Sequence, residues 1–154
     1  MERKKLIKRL GEGIYRQNPS HPLRVAIDGI DAAGKTSLAD EMAQYLQQKD
    51  REVIRASVDA FHNPANVRKA QGDLSPQGFY QDSFNDEALI QYLLFPLSPG
   101  GNRLYHTSVF DLINDQPTLS PQKQASRNAI LILDGIFLLR PVLIKYWDLS
   151  IYLD

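Results

Sequence analysis

Eight consecutive residues, Gly29, Ile30, Asp31, Ala32, Ala33, Gly34, Lys35 and Thr36, satisfy the pattern G-x-x-x-x-G-K-[ST] without a mismatch. Glycines at both ends let the backbone curl around an anion, and the N–H groups of such a loop converge on phosphate oxygens. The lysine reaches the β and γ oxygens, and the hydroxyl beside it suits Mg²⁺. The chemistry implied is the binding of a nucleoside triphosphate, ATP with Mg²⁺, with Ser37 extending the loop's contacts at the helix start. The same residues would also make an ordinary glycine turn ahead of a helix, so their context decides.

Two carboxylates fall where phosphoryl transfer would need them. Asp134 follows the apolar residues 129–133, the form taken by a carboxylate that holds Mg²⁺ directly or through water. It could instead cap the turn that opens at Gly135. Asp59 ends the run 53–58, and a carboxylate at that place can accept a proton from an attacking hydroxyl. Capping whatever follows is its structural alternative.

These residues need a scaffold. Residues 23–28 read as a short buried strand and residues 37–48 as an amphipathic helix, so strand, glycine loop and helix follow in the order a phosphate site requires. Ahead of them, Leu6, Ile7, Leu10 and Ile14 at helical spacing predict an amphipathic helix over 3–17. A second strand is expected at 53–58. Residues 60–85 are irregular and polar, residues 86–94 form a short helix capped by Asn85, and 103–109 form a strand on a small flap. Residues 114–128 read as loop. The run 129–133 is a central parallel strand, 137–146 a helix broken at Pro141, and 149–153 a fourth strand. Strands alternating with helices predict a three-layer α/β/α fold of the P-loop NTPase type with a mainly parallel sheet. In such sheets ligands bind at the carboxyl ends of the strands, where the loop, Asp59 and Asp134 all fall.

Composition narrows the function classes. The chain has 154 residues, enough for one domain spanning 1–154, and its 18 Lys plus Arg balance 18 Asp plus Glu. A net charge of zero gives no electrostatic reason to expect nucleic acid or an anionic membrane as partner. The lack of cysteine excludes a disulfide framework and thiolate metal sites and fits a reducing cytoplasm. No apolar run approaches the roughly 20 residues that span a bilayer.

The chain resembles the uridine kinase branch of the P-loop kinases, with phosphoribulokinase and bacterial pantothenate kinase close by. The matching segments are residues 29–36, 57–62 (Ser-Val-Asp-Ala-Phe-His), 82–85 (Asp-Ser-Phe-Asn), 109–111 (Val-Phe-Asp) and 132–137 (Ile-Leu-Asp-Gly-Ile-Phe). The resemblance implies that Asp59 binds and deprotonates a nucleoside 5′-hydroxyl and that Asp82 holds ribose hydroxyls. It also implies that His62, where the family usually has tyrosine, lines the base pocket with Phe110, while Phe84 and Phe110 serve as pocket walls or core aromatics. His21 and His106 are read as structural. The partner implied is a small nucleoside such as uridine or cytidine, or a similar hydroxyl acceptor. The alternatives are a kinase of another small hydroxyl metabolite and a nucleotide-binding remnant without catalysis.

Three departures stand out. Asp115 occupies the place of a base-reading histidine, and Asp134 stands where the nearest nucleoside kinases have glutamate. The family's lid helix with its arginines, and its last strand, have no counterpart, so the chain reads as C-terminally truncated. Arg103, Arg127 and Arg140 are present, but nothing in the sequence aims them at phosphate. A bare apolar sheet edge would then favour a homo-oligomer.

Overall fold

The structure, a computed structural model, describes residues 2–30 and 33–154. Helix α1 (Arg3–Tyr15) leads into strand β1 (Leu23–Gly29), followed by α2 (Lys35–Gln47) and β2 (Val53–Ser57). Later in the chain β7 (Ile130–Asp134), the short helix α6 (Pro141–Ile144) and β8 (Leu149–Leu153) complete the frame. The four long strands form one parallel sheet in the order β2-β7-β1-β8.

Alternation along the strands builds the layers. Val25 and Ile27 of β1 and Ile130 and Ile132 of β7 face one side, where Leu38, Met42 and Leu46 of α2 and Ile7 and Ile14 of α1 cover them. Ala26, Leu131 and Leu133 face the other side, against Leu89, Leu93, Leu94 and Leu97 and against Leu138 and Leu143. All five side chains of β7 are buried, which is why that segment reads as an uninterrupted apolar run. The fold is the expected three-layer arrangement. No helix among the described residues is long and apolar enough to cross a membrane.

The register positions the chemistry. Ile27 pairs with Asp134, and Ser57 on the opposite side pairs with Asp134 as well. The loop after β1, the end of β7 and the end of β2 therefore lie side by side at one rim of the sheet. Gly29 is required there, because a Cβ on it would stand 2.4 Å from the carbonyl oxygen of Leu153 on β8.

The segment between β2 and β7 is more ordered than its polarity predicts. After a 3₁₀ turn (Val58–Phe61) come α3 (Ala65–Arg68), α4 (Pro76–Asp82) and α5 (Asp86–Leu89), the last continuing as a π turn over Ile90–Leu94. The expected irregular stretch 60–85 thus holds two helices, too short to show apolar periodicity. A cap does mark α4: the Ser75 hydroxyl accepts from the Gly78 N–H at 3.0 Å and Pro76 opens the helix. The expected strand at 103–109 and loop at 114–128 resolve into two small antiparallel pairs. They are β3 (Leu104–Tyr105) with β6 (Lys123–Gln124), and β4 (Phe110–Asp111) with β5 (Gln116–Pro117). The helix expected over 137–146 is only α6, and Pro141 starts it rather than breaking it, since proline lacks an N–H that the first turn does not use.

Candidate active site

Of the glycine loop, Asp31 and Ala32 lie outside the described residues. Gly34 precedes α2 with φ 88°, a left-handed conformation that glycine adopts without strain. No side chain caps α2 among the described residues and no acidic residue lies in its first turn, so its leading N–H groups are open to an anion. Lys35 is buried, and its Nζ donates to the carbonyl of Ile30 at 2.7 Å, folding the ammonium back over the loop. Thr36 and Ser37 are exposed in the first turn of α2.

Asp134 is 3% exposed. Its Oδ2 accepts from the Thr36 hydroxyl at 2.9 Å, and Arg55 Nη1 lies 2.7 Å from Oδ1. That contact is an ion pair without hydrogen-bond direction, so buried Oδ1 has no hydrogen-bond donor among the described residues. A half-satisfied buried carboxylate beside a threonine hydroxyl fits Mg²⁺, which takes hard oxygen donors. The alternative of a turn cap fits less well, since the N–H of Gly135 donates to Ile27 rather than to Asp134. Thr36 and Asp134 are the residues that could hold the metal.

Asp59 sits in the 3₁₀ turn after β2, exposed, with its N–H donating to Ser57 Oγ at 3.3 Å. Its carboxylate accepts no hydrogen bond among the described residues. His62 follows, its Nδ1 2.9 Å from the Asp59 carbonyl and its ring 4.6 Å from that of Phe84. A cleft of about 310 Å³ brings Lys35, Thr36, Asp59, His62, Phe84 and Asp134 together, with Phe79, Gly135 and Ile136 as further walls.

His62 also lines a neighbouring cavity of about 470 Å³. Its walls include Phe110, Val109 and Leu119 on the β4–β5 flap and Pro64, Asn85 and Tyr92 opposite, with no charged side chain. Phe110 is thus a wall of the second cavity and not of the cleft.

Asp82 faces neither. Its Oδ2 accepts from Gln71 Nε2 at 2.8 Å and its carbonyl accepts from Asn63 Nδ2 at 2.9 Å. Asp115, in a left-handed conformation at φ 52°, accepts from the first N–H of α3 at 2.8 Å and stands 3.7 Å from Arg68. It fastens the flap to α3.

None of the three arginines lines the cleft, but Arg140 lines an adjoining cavity of about 350 Å³ with Gly29 and Ile30 of the glycine loop. Arg140 donates to Asp86 at 3.1 Å and stacks over Tyr80 and Phe137. Burial raises the Asp86 carboxyl above its ordinary range, and Arg140 opposes that rise. Arg103 and Arg127 share a cavity with Ser20, His21 and Pro22 at the opposite end of the strands. His106 contacts the Ser120 carbonyl at 2.7 Å and packs on Tyr92, and His21 contacts the Pro22 carbonyl. Sequence reasoning missed Phe79, Ile136 and Arg55. Only Arg55 left a trace, as the one charge inside a mainly apolar strand.

No family model matches the chain, and no curated protein matches it in sequence. Solved structures do match its fold. A possible uridine kinase from Bacillus stearothermophilus superposes with a TM-score of 0.85 at 23% identity, covering 100% of this chain and 82% of that one. A kinase from Silicibacter sp. TM1040, provisionally named for a fructose transport system, gives 0.73 at 22% identity, covering 95% of this chain and 73% of that one. D-glycerate 3-kinase from Cryptococcus neoformans gives 0.57 at 15% identity, covering 84% of this chain and 51% of that one. The chain has the α/β fold that these P-loop kinases share.

Proposed function

We propose that the chain transfers the terminal phosphoryl group of ATP to a hydroxyl of a small molecule, with a nucleoside such as uridine or cytidine accepting at its 5′-hydroxyl. The observation that carries the reading is one cleft shared by Lys35, Thr36 and Asp134 with Asp59, His62 and Phe84. In this reading residues 29–37 hold the triphosphate through backbone N–H groups, and Lys35 places its charge on the β and γ oxygens. Thr36 and Asp134 would hold Mg²⁺, which would offset the charge of the transferring group. Asp59 orients the acceptor hydroxyl and takes its proton as the new oxygen–phosphorus bond forms and the bond from the γ-phosphorus to the bridging oxygen breaks, releasing ADP. Phe84 and His62 flank the acceptor, and the cavity behind Phe110 receives its base. Residues 1–154 belong to one kinase domain, and the lack of cysteine suits work in the cytoplasm.

A second reading, a kinase for another small hydroxyl metabolite, is favoured by Asp82 and Asp115. Both are engaged within the protein instead of facing the cleft. The names of the fold neighbours, which run from uridine kinase to glycerate kinase, leave room for it.

The test is Mg-ATP with a mixture of nucleosides and small alcohols, read by mass. A phosphorylated nucleoside that disappears in Asp59→Asn, with ATP still bound, is the expected result. A phosphorylated alcohol other than a nucleoside selects the second reading. ATP bound with no acceptor modified overturns both.

A further inference from the structure

We propose that Arg55 is a positioning residue for the metal-supporting carboxylate: it holds Asp134 in place and neutralises it, so that the divalent ion enters with the nucleotide and not ahead of it. The proposal rests on the kinase reading of the cleft.

The geometry begins on β2. Arg55 pairs with Ile132 and Ser57 with Asp134, so the long Arg55 side chain runs up the strand by two residues to reach the carboxylate. Nη1 stands 2.7 Å from Asp134 Oδ1 and also donates to the Ala56 carbonyl. Nε donates to Asp40 Oδ1 at 3.0 Å. Asp40 lies one turn beyond Thr36 on α2, on the same helical face. The contacts therefore close a ring from Thr36 to Asp134, Arg55, Asp40 and back along the helix. The ring ties the first turn of α2 to both strands that carry the site.

Electrostatics follows from the ring. The Asp134 side chain is 4% exposed, and a buried carboxylate without a counter-charge is costly. Lys35, the other cation of the cleft, is directed to the Ile30 carbonyl. Arg55 is thus the cation that neutralises Asp134 among the described residues. A bare divalent ion finds little to compete with it. The described residues hold no group of three or more His, Cys, Asp or Glu able to bind a metal. Thr36 and Asp134 supply two donors, whereas Mg²⁺ takes about six oxygen ligands. A guanidinium in contact with one of those donors lowers the attraction further. A triphosphate brings its own oxygens and negative charge, and the balance then tips toward the metal.

The experiment titrates Mn²⁺, followed by its electron paramagnetic resonance signal, into nucleotide-free and ATP-loaded protein. Without nucleotide, Arg55→Gln should bind Mn²⁺ about tenfold more tightly than the unmodified chain. Its melting temperature, lowered without metal, should recover on adding Mn²⁺. The double variant Arg55→Gln/Asp134→Asn should lose both gains. Arg55→Lys, which keeps the charge, should match the unmodified chain. Asp40 is exposed, so Asp40→Asn should fold and bind Mn²⁺ no better than the unmodified chain, since the Arg55 charge then acts on Asp134 alone. If Arg55→Gln does not fold, this variant decides.

Mn²⁺ affinity unmoved or weakened by Arg55→Gln, or raised by Asp40→Asn, overturns the role of Arg55. A lowered melting temperature that metal does not restore identifies a merely structural ion pair and overturns it as well. If ATP-loaded protein binds Mn²⁺ normally in those cases, the kinase reading stands. Failure of the ATP-loaded unmodified chain to bind Mn²⁺ defeats both together.

Discussion

Lys35 and Asp59 make opposite demands on their surroundings. Lys35 is buried and held to the loop by a 2.7 Å hydrogen bond to the Ile30 carbonyl, so its charge is kept at the loop. Asp59 is exposed with its carboxylate open, which suits its proposed role of receiving a proton from a mobile hydroxyl. Lys35→Met should lower transfer by about 10²–10³ through loss of charge on the transferring group, read as kcat at saturating ATP. The wall of the second cavity offers a cleaner probe of the acceptor, because Leu119 is half exposed. Leu119→Trp should narrow that cavity and raise the acceptor KM with the ATP KM unchanged. Stability should move by no more than about 0.5 kcal/mol, measured by urea denaturation. An unmoved acceptor KM would remove the Phe110 cavity from the binding site.

Elements carry these residues into register by local devices that can be tested singly. Among the described residues nothing stands where a Cβ on Gly34 would, so its φ of 88° is what resists substitution. Gly34→Ala should cost about 1–2 kcal/mol from left-handed strain and weaken nucleotide binding as the loop relaxes, read by denaturation and ATP titration. Ser75→Ala removes the cap of α4 and should cost about 1 kcal/mol, with a larger acceptor KM because α4 carries Phe79 into the cleft. The flap is fastened to α3 by Asp115, whose carboxylate caps that helix instead of facing the cleft, and to the 3₁₀ turn by the Val109 N–H on the Ala60 carbonyl. An aspartate after a hairpin strand carries no mark of which helix it will meet. Neither that pairing nor the cap at Ser75-Pro76 is read from the sequence, where residues 60–85 show only irregular polarity.

At the scale of the whole molecule, charge is balanced by pairing inside the fold. The Asp86 carboxyl is raised by burial, so protonation favours the folded state. Its contribution is present below the ordinary carboxylate pKa of about 4 and is lost as pH rises through the raised value. Glu12 runs the other way, since hydrogen bonds from Tyr45 and Lys49 lower its pKa. Its contribution is present above the ordinary range and is lost as pH falls. Across the window just above pH 4, the unmodified chain should therefore lose stability relative to Asp86→Asn as pH rises. Tyr45→Phe should flatten the loss of stability on acidification. Urea denaturation over a pH series checks both signs, and equal pH slopes in variant and parent would refute either.

The glycine turn ahead of α2, the alternation of strands and helices, and the placing of Asp134 at the end of β7 and Asp59 just past β2 follow from the sequence alone. Each depends on neighbours within a few positions: glycines at set spacing, an apolar run closed by an acid, periodicity of two or of 3.6. Tertiary structure decided what depends on distant partners. It turned Asp82 toward Gln71 and set Asp115 on α3. It seated Arg140 against Asp86 and brought Arg55 to Asp134 across β2 and β7. A charged side chain of several rotatable bonds reaches whichever opposite charge the fold brings near, and only the register between strands settles which one that is.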